Sequence, residues 1–144
     1  MPMYLNAPLQ TMKRVYEQIC DGETPWVALG DFMNEWFIYS SDRRAELVAD
    51  PIVLRKKATL KEQQWATFIA ASVEYLCWSY DLPCPHWVYK SCFQLKEPWY
   101  HALYLHEDVR TYLESTTPEP FKRRNIYCGD RVYLDKSAVV SRPV

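Results

Sequence analysis

Apolar side chains recur three and four apart along most of the chain, the period of one buried helix face. The longest such stretch, residues 59–80, reads TLKEQQWATFIAASVEYLCWSY and keeps Trp65, Ile69, Val73, Leu76 and Tyr80 in register. Phe68, Cys77 and Trp78 widen the stripe until most of the circumference calls for burial. Thr59, followed three residues later by Glu62, forms a capping box in which hydroxyl and carboxylate each accept from the other residue's amide. Pro83 and Pro85 stop the helix. The spacing therefore predicts a central buried helix around which the chain is organised.

Upstream, Pro8 opens a helix with Leu9, Met12, Tyr16 and Ile19 on one side, and Gly22 ends it. Thr24 and Pro25 restart the chain as N-cap and first helical residue of a helix over residues 26–39. Its inward side is Trp26, Leu29, Met33, Trp36 and Phe37; Asp31, Asn34 and Glu35 are its polar side. A cap and short helix follow over 40–50, ended by Pro51. Residues 52–58 connect to the central helix and carry Arg55, Lys56 and Lys57.

Downstream, LPCPHWVYK over 82–90 is a proline-broken elbow with one helical turn at residues 86–89. Residues 91–105 are irregular, with an extended segment or turn at 97–100. Glu107 and Asp108 begin a helix whose apolar edge is Val109, Tyr112 and Leu113. Thr117 and Pro118 start a last short helix over 119–125, and residues 126–135 read as a short hairpin or arm. Residues 1–7 and 135–144 are expected to be loose tails. The sum is one all-α domain over 1–144, with five to six helices.

Composition narrows the function classes. At 144 residues the chain suits one domain, and 15% aromatic residues argue against disorder. A net charge of −1 argues against a protein that binds nucleic acid by bulk charge. No apolar run reaches membrane-span length, and no signal sequence stands at the N-terminus. Five irregularly spaced cysteines fit reduced thiols in a cytoplasm.

Candidate chemistry is thin. Cys84, His86 and Cys92 lie close together, but the paired C-x2-4-C spacing of zinc sites is missing. His101 and His106 are five apart, so a helix would not place both on one face. There is no phosphate-binding glycine loop and no G-x-S-x-G elbow. Asp31 and Glu35, one helical turn apart, could share a cation or a proton, but a solvated polar helix face is the favoured reading. These residues call for no cofactor, no metal and no assigned catalytic group.

Two features point outward. Lys122, Arg123 and Arg124 form a basic cluster between Phe121 and Ile126. Three consecutive cations cannot share one helix face, so at least one should pair internally. The others suit a partner's carboxylates or a phosphate backbone. If the cluster serves a partner, replacing Arg123 and Arg124 by Ala leaves the melting curve near wild type. The second feature is a surplus of six Trp and eleven Tyr, residue types that carry energy at interfaces. Trp99 and Tyr100 lie in the irregular middle, where a loop can present them. The expected partner-binding set is therefore Phe121, Lys122, Arg123, Arg124, Trp99 and Tyr100.

Three stretches carry a resemblance: DGETPWVALGDFMNEWF at 21–37, WATFIAASVEYLCWSYDLPCPHW at 65–87 and TPEPFKRRNIYCGDRVYLD at 117–135. With Pro98-Trp99, they resemble a family of small, largely uncharacterised prokaryotic proteins with a C-terminal P-x-F-x-R-R-N-I motif. Here the motif reads PEPFKRRNI over 118–126, with Glu119 where the pattern has its proline. Some members sit in toxin–antitoxin-like two-gene settings, beside a nucleotidyltransferase-type toxin. The resemblance implies a helical, cytoplasmic, antitoxin-like protein that binds a protein partner. It brings over no catalytic residues. A nucleic-acid-binding regulator using residues 122–124 and 55–57, a small enzyme with an acid–base site around Asp31, Glu35 and a histidine, and a homo-oligomer stand as alternatives.

Overall fold

The structure is a computed structural model, described here over residues 8–134. It is mostly helical, with one two-stranded sheet. Helix α1 (Met12–Cys20) starts later than Pro8, because the Thr11 hydroxyl accepts from the Arg14 amide at 3.1 Å and fixes the N-cap there. Gly22, at φ 106°, turns the chain after it. Helix α2 (Pro25–Asn34) begins on its proline and runs into a π turn, Glu35–Tyr39, instead of one continuous α-helix. The Ser40 amide bonds back to the Glu35 carbonyl at 2.8 Å and closes that wider turn. A 3₁₀ turn, Ser41–Arg43, leads into α3 (Arg44–Ala49).

Helix α4 (Leu60–Ser79) carries the expected capping box: Thr59 Oγ1 accepts from the Glu62 amide at 3.1 Å, and Glu62 Oε1 accepts from the Thr59 amide at 2.9 Å. From Trp65 to Glu74 every residue is buried, and Leu76 and Cys77 extend that surface. Trp78 is an exception to the expected stripe. It is 74% exposed.

The elbow is pinned by the Trp87 indole, whose Nε1 donates to the Val48 carbonyl at 3.0 Å. Its helical turn, His86–Tyr89, is 3₁₀. Helix α5 (Glu107–Thr116) and the single turn α6 (Glu119–Lys122) come next. Turn α6 is shorter than expected, because Asn125 adopts φ 68° and swings the chain out of the helix. The Asn125 side chain then holds the Leu95 carbonyl at 2.7 Å.

No hairpin forms at residues 126–134. Strand β2 (Ile126–Tyr127) pairs in parallel with β1 (Trp99–Tyr100), in the register Trp99 to Ile126 and Tyr100 to Tyr127. The Trp99 amide donates to the Asn125 carbonyl at 2.8 Å and the His101 amide to the Tyr127 carbonyl at 3.0 Å. Gly129, at φ 78°, supplies a turn, but residues 130–134 do not fold back onto β2. Tyr133 instead reaches α4, its hydroxyl 2.7 Å from Ser72 Oγ. The expected loose tails, residues 1–7 and 135–144, lie outside the described residues.

Candidate binding surface

The basic cluster divides around one carboxylate. Glu74 is a nearly buried acid in an otherwise apolar stretch of α4. Arg124 Nη1 donates to Glu74 Oε1 at 2.7 Å and to the Pro120 carbonyl at 2.7 Å. Its Nη2 donates to the Val88 carbonyl at 3.0 Å. One guanidinium thus ties α4, the elbow and α6 together, using the fixed fork that lysine lacks. Burial pulls the Arg124 guanidinium below its ordinary range, yet an arginine keeps its charge at neutral pH. Arg123 Nη2 bonds the other oxygen of Glu74, but its side chain is 43% exposed.

Two of the residues expected at a partner surface are therefore inside the chain. Phe121 is buried, packed on Phe68 at 5.4 Å and Tyr75 at 5.9 Å between ring centroids. Arg124 is locked to Glu74. The cause is helical spacing: Phe121 and Arg124 are three apart on the turn that opens at Glu119, so both face inward, while Lys122 and Arg123 between them point elsewhere. Lys122 is half-buried and Arg123 stays at the surface. Trp99 and Tyr100 are half-buried on β1, far in sequence from the cluster but joined to it through β2.

Beside Arg123 opens a groove of about 640 Å³. Tyr75 and Trp78 from α4, Tyr89 from the elbow, and Pro118 and Pro120 around α6 supply its apolar walls; Glu74 and Arg123 supply its ion pair. Residues 74 and 75 reach this side together with Trp78 because they lie four and three positions before it on the helix. Arg123 also borders a smaller concavity of about 180 Å³ that Lys90, Ser91 and Gln94 help to line. Arg123 is the hinge between an apolar groove and a cationic one.

A second concavity, of about 440 Å³, lies near the other end of α4. Trp26 and Trp65 meet at 5.6 Å and 87°, Trp65 and Trp99 at 5.1 Å and 88°. His101 packs on Trp99 with ring centroids 4.2 Å apart. Burial pushes its imidazole down to about 4, so it is neutral at pH 7. Its Nε2 is buried with no hydrogen-bond partner among the described residues.

The remaining candidates carry structural bonds. Glu35 accepts from the Ser40 hydroxyl at 2.6 Å and the Gln10 amide at 3.3 Å, while Asp31 is exposed. Burial pushes the Cys77 and Cys128 thiols up to about 12, which leaves them protonated and poor nucleophiles. Arg55 lies 3.7 Å from Glu62. Among the described residues, no group of three or more His, Cys, Asp and Glu side chains is placed to hold a metal, and no helix is long and apolar enough to cross a membrane.

Sequence reasoning does not single out Glu74, Tyr75 or Trp78 as site residues, whereas Tyr89 belongs, with Trp87, Trp99, Tyr100 and Tyr104, to the aromatics that the irregular middle can present. Glu74 has a usable signal: it is the single acid within ATFIAASVEYLCW, and a charge in such a run needs a partner. Tyr75 and Trp78 have none, since their pattern also fits the core. No protein family, curated protein or solved structure matches the chain.

Proposed function

We propose that the chain is a non-enzymatic protein-interaction protein of the prokaryotic cytoplasm, built on the helix at residues 60–79 as its central buried axis. Its partner docks at the groove beside Arg123. The observation that supports this is the pairing of an apolar, 640 Å³ groove with an exposed Trp78 and a half-exposed, cationic Arg123. Tryptophan and arginine are the residue types that dominate interface energies.

The occupant is a peptide segment that places an aliphatic or aromatic side chain between Tyr75, Trp78 and Tyr89. A neighbouring carboxylate of that segment pairs with Arg123 and Lys90. Glu74 keeps Arg123 in place and leaves its outer edge free for the carboxylate. In the two-gene setting implied by the resemblance, the segment belongs to a toxin-like protein, and this chain acts as its antitoxin-like partner.

Selection from a displayed random-peptide library tests the reading. Wild type is expected to enrich peptides with an apolar residue next to an acid, and Trp78→Ala and Arg123→Ala each to abolish that enrichment. Enrichment that survives both substitutions, or none with wild type, overturns the proposal.

A further inference from the structure

We infer that the concavity of about 180 Å³ beside Arg123 is a site for a phosphoryl dianion, the terminal group of a phosphate monoester. Its charge is out of balance. Two guanidiniums, Arg123 and Arg124, share the single carboxylate of Glu74. Lys90 borders the same concavity and has no carboxylate within ion-pair reach among the described residues. Three cations against one carboxylate leave two positive charges over, and no acidic side chain is among the described residues that line the concavity. Burial, and after it the neighbouring Arg124 charge, pulls the Arg123 guanidinium below its ordinary range, as two like charges held close together do. An arginine still keeps its charge at neutral pH.

The donors are in place as well. Arg123 spends Nη2 on Glu74, and its Nε and Nη1 have no acceptor among the described residues. The Ser91 hydroxyl on the rim likewise has no partner there. Gln94 holds only the Leu95 carbonyl, at 3.3 Å. A carboxylate brings one charge and answers half of the excess. A phosphoryl group brings about two negative charges and three acceptor oxygens. Those oxygens suit a guanidinium fork, an ammonium and a hydroxyl arriving from different sides. Arg123 and Lys90 are also the cations that receive the partner's carboxylate in the docking reading, so the two ligands exclude each other. The phosphoryl site itself needs no peptide.

The same group occurs on small phosphate monoesters and on phosphorylated side chains, and the experiment separates them. The full chain is titrated calorimetrically at low salt, where surface charges are least screened, and at about pH 8, where a monoester holds its second charge. The probes are phenyl phosphate, phenyl sulfate (a monoanion of the same shape) and a short peptide with phosphoserine beside leucine. Saturable binding of phenyl phosphate, about tenfold tighter than phenyl sulfate and weakened about tenfold by Lys90→Ala, is expected. Binding of the phosphopeptide without phenyl phosphate, lost in Lys90→Ala, assigns a phosphorylated side chain as the source and also upholds the site. Binding of neither, or phenyl sulfate as tight as phenyl phosphate, overturns it; the sulfate comparison uses wild type and does not depend on how the variant folds. Binding unchanged by Lys90→Ala overturns it as well. A random-peptide library that enriches nothing sinks the docking reading alone, because phenyl phosphate carries no peptide.

Discussion

Arg124 donates to Glu74 at 2.7 Å across 50 residues of sequence, and both side chains are nearly buried. The pair is a lock between α4 and the segment after α6, not a spare charge. Glu74→Gln removes the carboxylate but leaves the guanidinium in place. Breaking a buried pair from one side costs about 3–5 kcal/mol. Because Glu74 opens toward the groove and the backbone carbonyls of Pro120 and Val88 still accept from Arg124, the expected loss is about 3 kcal/mol, read as a lower urea midpoint.

The capping box at the start of α4 makes a smaller prediction. Thr59→Ala removes the acceptor for the Glu62 amide and should lower stability by about 1 kcal/mol. The bond from the Thr59 amide holds the Glu62 carboxyl below its ordinary range. Thr59→Ser, which keeps the hydroxyl, should stay within a few tenths of wild type by thermal unfolding.

His101 gives the fold a pH dependence. Its imidazole is pushed from an ordinary 6.5 down to about 4 by burial. Between those values the unfolded chain takes up a proton that the folded chain refuses, so stability falls as pH falls. It is fully kept above 6.5, and the loss approaches about 3 kcal/mol toward the acid end. His101→Phe keeps an aromatic ring against Phe68 and Trp99. Urea unfolding at a series of pH values should show a flatter curve for this variant through that window.

Tyr133 tests whether the segment after β2 belongs to the core. Its hydroxyl is 2.7 Å from Ser72 Oγ, which itself donates to the Phe68 carbonyl at 2.7 Å. Tyr133→Phe should cost about 1 kcal/mol, the worth of one buried hydrogen bond. Tyr133→Ala should cost about 3–5 kcal/mol, as expected for an emptied aromatic site.

Local signals are legible in the sequence, and distant ones are not. Thr59 with Glu62, Pro25 and Gly22 act within a few residues, so composition and spacing reveal them. The strands at Trp99–Tyr100 and Ile126–Tyr127 are two residues long. They exist because Asn125 turns the chain alongside a remote segment, and no periodicity is visible in so short a run. Trp78 departs from its expected place for a different reason: α4 is apolar nearly all round, so its pattern does not say which aromatic side chain faces out. The cluster at Lys122 reads as chemistry, and the expectation that one cation pairs internally fits Arg124. Which cation, and with which acid, depends on Glu74, fifty positions earlier.

That division of labour between neighbouring arginines is tested most directly by urea unfolding of Arg123→Ala and Arg124→Ala side by side. Arg124→Ala should lose about 3 kcal/mol or more, because it strips one oxygen of the nearly buried Glu74 carboxylate and two backbone carbonyls of their donor. Arg123→Ala, at a half-exposed position, should lose less than about 1 kcal/mol. Equal losses, or an Arg124→Ala protein as stable as wild type, would contradict the lock and return both arginines to the surface.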